Sequence, residues 1–523
     1  MHRRSIASGN RKEMVVAPGF DRRRLVQIGT VIPLATLAPS HVVAQDATPA
    51  DSSILPAIVI DVAGGPDNLD PALTRSVRDW SILHALYDSL LDLSAAGELR
   101  PLAAESFESI DDVTFEVVLR AGMTFHDGTP VTSEAISRSI TWVQESEGPA
   151  AANFGVIERV EMLDDLTARI ITTRPAPWLP SQLAVWMVLF PEGMTTESFQ
   201  THPVGSGPYQ FESQVPGSEI VLQRNPAYPS DSPKGTAIAE MVTYRVVPEA
   251  TTRLADLVTG TAQIVDDLGP EHFQAVTEGG GEVIESPVLG VSFLRLVNDT
   301  PPFNDPLVRQ AINHAIDVES IGQALISPGA RRLASFSPDD RGIGFNPELA
   351  PLRFDPSLAR QLLVDAGHPE GFAATLQYTG GGRDDVMQAI AANLADIGVD
   401  VTIELTDLAT FNGTWQEPDS GQLRFVSWRP VYDPHILLSL MFTSSGPLSR
   451  FTDEEADQLI VAGGAEVDDA TRQATYEDLG RYFQESPPAV FLWNLTSSYG
   501  VRDGGTGWSP RGDEYLLPMQ RQD

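Results

Sequence analysis

The chain has 523 residues, 42% hydrophobic and 20% charged, with a formal net charge of −36. A single hydrophobic core stops growing at roughly 250–300 residues, so two or more lobes are expected. The charge excludes the basic face that nucleic-acid binding requires. Cysteine is absent, which excludes disulfides, thiolate chemistry and cysteine zinc sites, and no lipid anchor on an N-terminal cysteine is expected.

At the start, Arg22-Arg23-Arg24 precedes an apolar run from Leu25 to Ala38, too short to span a membrane comfortably. Val42-Val43-Ala44 then offers small residues before a cut at Gln45. The segment 21–26 resembles a twin-arginine export signal, with Asp21 where Ser or Thr is usual and Leu25 where Phe is usual. Residues 1–44 are therefore expected to be a cleaved signal, with an uncleaved anchor or a basic tail as alternatives. Residues 45–56 read as a polar linker.

Beyond the linker, strands and helices alternate. Val113, Phe115, Val117 and Leu119 have the period of a half-buried strand, and Glu134 to Val143 reads as a helix with Ile136, Ile140 and Val143 on one face. Leu254, Leu257 and Val258 form a helical stripe stopped by Gly260, before a short strand near Ile264. Asn304-Asp305-Pro306 starts a helix with Val308, Ala311, Ile312, Ala315 and Ile316 on one face. Asp355-Pro356 starts another, with a Leu358, Leu362, Leu363 stripe and a stop at Gly367. Val386, Ile390, Leu394 and Ile397 form a helical face ending at Gly398, and Val399, Val401, Ile403 and Leu405 switch at once to period two. That switch is a helix-to-strand connection of an α/β unit. Glycines 279–281 and 380–382 read as loops.

Catalytic signatures are missing: no G-x-S-x-G, GxxxxGK[ST], H-E-x-x-H or C-x-x-C occurs. His84, His126, His202, His314 and His435 are scattered, and read as turn or surface residues. Glu454-Glu455 reads as a solvated helix start after Thr452 and Asp453. The reading is of a non-enzyme without cofactor or metal.

Several ordered segments resemble one family, the family 5 extracytoplasmic solute-binding proteins of ABC importers for peptides, nickel and related solutes. They are Leu69-Asp70-Pro71 with Leu86-Tyr87-Asp88-Ser89-Leu90, then Leu102 to Phe107, and Leu119 to Pro130, which contains Phe125-His126-Asp127-Gly128. Pro203-Val204-Gly205-Ser206-Gly207-Pro208-Tyr209 and Pro302-Phe303-Asn304-Asp305 through Arg309-Gln310-Ala311 and Asp317 follow. The resemblance spans about residues 57–500. Asp127, Arg120 and Gly205 read as scaffold.

The resemblance implies an α/β, two-lobed periplasmic-binding-protein-like fold, type II and cluster C-like, with an extra subdomain inserted in the first lobe. Carried onto this chain, lobe 1 is 52–290 plus 486–523, the insertion about 75–200, and lobe 2 is 291–485. Crossovers are expected near 286–292 and 484–490. The implied protein is exported to the periplasm or cell surface and acts as a monomer. Its partners are a peptide or similar small solute, enclosed by hinge closure, and a membrane permease. In peptide-binding relatives an Asp three residues after a Trp grips the α-ammonium; here that position is Val431. The run Trp428-Arg429-Pro430-Val431-Tyr432-Asp433-Pro434-His435 is closer to the nickel-binding branch, but that branch's arginine and histidine are replaced by Met187 and about Gly446. What remains is aromatic and apolar. Trp428 and Tyr432 are the first ligand-binding candidates, Trp80, Trp186 and Met187 weaker ones, and Arg429 the charged one. Asp433 reads as a turn cap. The alternatives are a metal-chelate receptor, an exported hydrolase, and a sensory or chaperone-like partner on the same fold.

Overall fold

The structure, a computed structural model, describes residues 54–520 except 75, 95–96, 381–382, 419 and 503–506. The expected signal, residues 45–53 of the linker, and Gly381 and Gly382 lie outside the described residues. Strand β1 (Leu55–Val62) starts inside the stretch read as linker. Its residues pair in parallel with a strand far along the chain, Ile58 opposite Val242 and Ile60 opposite Tyr244. A local composition signal cannot anticipate such pairing.

Between β1 and the rest of its sheet the chain builds a second, smaller sheet. After helix α1 (Val77–Leu86), strands β2 (Ala104–Asp111), β3 (Thr114–Leu119), β4 (Ile157–Met162) and β5 (Thr167–Thr172) form a four-stranded antiparallel sheet in the order β2-β3-β5-β4. Phe115, Val117 and Leu119 are buried, as their alternation requires. Helix α2 (Ser133–Glu145) buries Ile136, Ile140 and Val143 in the same cluster. Helix α3 (Leu179–Val185) follows.

The main sheet then grows through β6 (Tyr209–Val215), β7 (Glu219–Arg224), β8 (Ala239–Val246), helix α4 (Ala250–Thr259) and β9 (Ile264–Val265). It continues with β10 (Gly281–Leu296), helices α5 (Pro306–Ala315) and α6 (Pro356–Asp365), β11 (Phe372–Tyr378), helix α7 (Asp384–Ala395), β12 (Val399–Leu405) and β13 (Leu423–Trp428). Helices α8 (His435–Met441), α9 (Glu454–Ala465) and α10 (Asp469–Glu485) precede β14 (Ala489–Arg502). The ten strands lie in the order β12-β11-β13-β10-β14-β9-β1-β8-β7-β6. Local signals set the ends of these helices. Asp305 and Asp355 accept the first-turn N–H groups of Leu307 and Leu358, and Gly260, Gly367 and Gly398 take φ of 80°, 85° and 88° past their helices. Gly281, read as loop, begins β10, while Gly280 makes the turn at φ 80°.

Apolar packing divides along this sheet. One cluster draws on Ile58 to Ile264, on Ile436, and on Tyr499 to Met519. Two others lie wholly between Val291 and Trp493. The long strands β10 and β14 join the two halves. They pair antiparallel from Gly281–Arg502 to Arg295–Ala489, with the register broken between Pro287 and Val291 and again before Phe293. On one side of the break β14 pairs with β9; on the other β10 pairs with β13.

Segments far apart in sequence lock together in the first half. The His126 ring, in the turn its reading as a turn or surface residue expects, accepts from the Gly205 N–H (3.3 Å) and donates to the Gly207 carbonyl (3.1 Å), so it is a neutral clamp. A Cβ on Gly205 would land on the Leu86 carbonyl. Arg120 donates to the Leu102 carbonyl, and Asp127 accepts from Thr129. Lys234 is buried, paired with Asp88 at 2.8 Å, and donates to the His84 and Tyr87 carbonyls at 2.7 and 2.6 Å. Lys234→Met strands the Asp88 carboxylate inside the protein. The expected loss is about 3–5 kcal/mol of unfolding free energy in urea titrations, and a loss within measurement error would contradict it.

Candidate functional site

β13 carries Trp428 to the junction of the two halves, opposite Val291 of β10. Pro430 offers no N–H to continue the ladder, and the chain turns through 431–434 into α8. This turn is held from two sides. The Val431 N–H donates to the Leu289 carbonyl at 2.7 Å, inside the irregular stretch of β10. Asp433 caps the His435 N–H at 2.9 Å, and Arg472 of α10 grips its carboxylate with two hydrogen bonds of 2.6 and 2.8 Å. Asp433 is thus the expected cap and also half of a buried ion pair.

The segment so fixed faces both halves. Trp428 and Leu440 pack on the clusters of both, and Tyr432 and Ile436 join the first. His435 stacks on Trp178 of the first half, with centroids 5.2 Å apart and planes at 28°. Arg429 pairs with Glu514, Nε to Oε2, at 3.1 Å. Glu514 also accepts from Ser497 of β14 and holds φ at +64°, an uncommon conformation for a residue with a Cβ. Among the described residues, the hydroxyls of Tyr432 and Tyr515 and the indole N–H of Trp178 are buried without a hydrogen-bond partner.

Beneath the junction lies a buried ionic group. Arg511 binds Asp513 at 2.6 Å and Asp92 at 3.2 Å, and Asp92 also binds Arg100 at 2.9 Å. Burial pushes the Asp513 carboxyl up, but the Arg511 guanidinium overrides this and holds it below the usual range. Burial, reinforced by the Asp513 charge, raises the Tyr432 phenol well above its ordinary value, so it stays protonated.

The structure brings Trp428, Arg429 and Tyr432 together at the junction. Trp80 and Met187 are fully buried in the first cluster, and Trp186 is 6% exposed. Trp80 meets Trp186 edge-on at 5.3 Å and His84 at 5.3 Å, and His84 stacks on Tyr515 at 4.8 Å. Gly446 sits where a Cβ would run into the Leu440 and Ser439 carbonyls. Sequence reasoning missed Trp178, Glu514, Tyr515 and the role of His435. A Trp directly after a proline, in Arg174-Pro-Ala-Pro-Trp178, was the available signal for the first; the others carried none.

His84 and His435 are buried, contrary to the surface reading. Neutral imidazole can stack and still use a ring nitrogen: His84 bonds the Val185 carbonyl at 3.3 Å, and His435 bonds Tyr476 at 3.4 Å. Among the described residues no group of three His, Cys, Asp or Glu side chains could hold a metal, and no helix is long and apolar enough to cross a membrane. The junction gathers the indole of Trp428, the phenol of Tyr432, the carboxylate of Glu514 and the guanidinium of Arg429.

A sheet continued through two crossing strands, with separate cores at either end and a junction lined from both, defines a two-lobed α/β binding protein. The chain belongs to the bacterial extracellular solute-binding proteins of family 5, the family described as "family 5 Middle", which residues 98–448 match. It is 25% identical over 455 residues to the glutathione-binding protein GsiB of Pectobacterium atrosepticum, covering 83% of this chain and 88% of that one. It is 24% identical over 496 residues to the probable D,D-dipeptide-binding periplasmic protein DdpA of Escherichia coli, covering 90% and 94%. In fold it resembles the ABC transporter-associated periplasmic binding protein DppA of Helicobacter pylori in complex with peptide STSA, with TM-score 0.76, 22% identity, and 90% and 98% of the two chains covered.

Burial holds His435 down at about 4, against 6.5 for the free side chain; Asp433 opposes this, and Arg472 and Arg174 add to it. Between pH 6.5 and 4 an unfolded chain takes up a proton that the packed junction refuses, so stability falls with falling pH across that window. His84, held at about 3, acts in the same direction; Asp266, pushed up to about 6 by burial, acts oppositely between 3.8 and 6. Urea titrations at fixed pH should give His435→Phe a shallower loss between pH 6.5 and 4 than the parent. Equal slopes would remove His435 from this dependence.

Proposed function

We propose that this chain is the extracytoplasmic receptor of an ABC importer, capturing a small peptide-like solute between its lobes and releasing it unchanged. The observation that carries the reading is the 428–440 segment, which packs at once on the cores of both halves and presents Trp428 and Tyr432 where they meet. The first lobe is taken as 52–290 plus 486–523, with its insertion at about 75–200, and the second as 291–485; the division of cores favours two lobes but groups Ala489–Trp493 with the second. Residues 1–44 act as a twin-arginine-like export signal, and the mature protein works as a monomer with a membrane permease.

The relatives named for glutathione and dipeptides, and the neighbour bound to a peptide, support a ligand made of amino acids. In this site Trp428 supplies an aromatic wall, and Tyr432, Tyr515 and Glu514 offer acceptors for an ammonium or amide N–H. Arg429 releases Glu514 toward the ligand and turns to a carboxylate. The deeper residues Trp80, Trp186 and Met187 back this wall. The nickel-chelate alternative is less favoured, because Met187 brings no guanidinium and Gly446 no imidazole to the positions where that branch carries an arginine and a histidine. An exported hydrolase is disfavoured because His84, His126 and His435 each have at least one ring nitrogen engaged with a scaffold group.

Native mass spectrometry of the purified protein should show a co-purifying small molecule, and thermal-shift screening should show stabilisation by short peptides. Trp428→Ala should abolish that shift in a folded protein, and Glu514→Gln should weaken binding by about tenfold or more, about 1.4 kcal/mol. An undiminished shift in both variants, or turnover of the ligand, would overturn the reading.

A further inference from the structure

Two consecutive glycines close helix α9, Gly463 and Gly464, although glycine inside a helix weakens it relative to alanine. Their surroundings supply the reason. A Cβ on Gly463 would run into the Tyr476 ring of α10, and a Cβ on Gly464 would run into the His435 ring. The bare backbone of α9 is therefore a seat for two rings. Arg472 fixes this seat: its Nε donates to the Gly463 carbonyl at 2.7 Å while its other nitrogens grip Asp433, and its guanidinium lies 5.4 Å from the Tyr476 ring centroid. A 3.4 Å hydrogen bond between the Tyr476 hydroxyl and His435 Nδ1 completes it.

The imidazole held in this way meets Trp178, with centroids 5.2 Å apart and planes at 28°. Trp178 belongs to the first core, and Tyr476, which supports His435, belongs to the second. The stack therefore crosses the junction. Trp178 is also prepared on its own side. Pro175 and Pro177 restrict the chain leading to it, and Ser181 Oγ donates to its carbonyl at 2.7 Å. Trp178 is 3% and His435 4% exposed, so parting of the lobes would bare the faces they now cover. The Arg429–Glu514 pair also crosses the junction, but Arg429 is 42% exposed and water screens it. The ring stack is the drier contact of the two.

We propose that Trp178 and His435 form a latch between the lobes, two positioning residues that favour the closed arrangement by touching each other and not the solute. The latch rests on the receptor reading above, in which the lobes open and close. Solute affinity then depends on it indirectly, because the apparent dissociation constant scales inversely with the fraction of protein in the competent state.

The chain has no cysteine, so two introduced ones can carry spin labels without competition. Asp112→Cys, exposed between β2 and β3, and Asp400→Cys, exposed on β12, place one label in each lobe. Double electron–electron resonance on the full chain, freed of solute by unfolding and refolding, reads the distance between them. The ligand-free parent should show a closed population. Trp178→Ala and His435→Ala should each lower the closed-to-open ratio about tenfold, and the double variant should fall no further, since either change removes the same contact. Trp178→Phe keeps an aromatic face and should restore most of the closed population. A ligand-free parent with open distances only, single variants with an unchanged distribution, or a double variant whose loss is the sum of the two overturns the proposal. Should Trp178→Ala not fold, His435→Ala and Gly464→Ala decide in the same way, the latter unseating the imidazole while favouring its own helix. A ligand-free closed population that no short peptide enlarges supports the latch and counts against the peptide reading alone.

Discussion

The antiparallel pairing of β10 with β14 is the constraint on which this molecule depends. Each strand serves both halves of the sheet, β14 through β9 and β10 through β13, and the register breaks between Pro287 and Phe293 mark where one half gives way to the other. A regular ladder resists bending, while a bulged one localises it. The backbone at the break is still anchored: the Leu289 N–H donates to the Gly512 carbonyl and its own carbonyl accepts from Val431. Motion of one lobe on the other must therefore carry residues 429–431 and 511–514 with it. Those are the segments that bring Arg429, Tyr432, Glu514 and Asp513 to the junction, so the register break and the proposed ligand contacts are mechanically linked.

Charge is handled differently inside and outside. The chain's excess of carboxylates sits largely in water, where it favours solubility and has little say in the fold. Inside, the positive charges are arginines whose planar forks reach several carbonyls at once. Lys234, the one lysine among the described residues, works as a compact three-donor post that joins Asp88 to two carbonyls. It holds together the ends of α1 and the turn after β7, and with the His126 clamp it connects three of the sequence segments by which the family was recognised.

Elements with local signals were legible in the sequence. α5 and α6 follow from an Asp-Pro start and a 3.6-residue stripe, and the α7–β12 switch at Gly398 follows from the change of period, because caps, stripes and alternation involve neighbours in the chain. The ligand region was half legible. Trp428 and Tyr432 stood out within one short run, but the same sequence logic placed Trp80 and Met187 beside them, and both are buried in the first core. An aromatic or apolar residue looks the same in sequence whether it walls a cleft or fills a core. His435 was read as a turn or surface residue because it is a lone histidine with no second one at metal-ligand spacing; its stacking on Trp178 depends on how two distant segments meet.

By itself, then, the sequence determined the α/β class, most element boundaries, the family, and the aromatic run on which the proposed site is built, since each rests on local periodicity or on contiguous motifs. The tertiary structure alone decided which strands cross between lobes, where the register breaks, and that Trp178, Glu514 and Tyr515 face the Trp428–His435 segment. These are contacts between residues far apart in the chain, whose energies come from burial and from shared hydrogen-bond partners, quantities that exist only once the chain has folded.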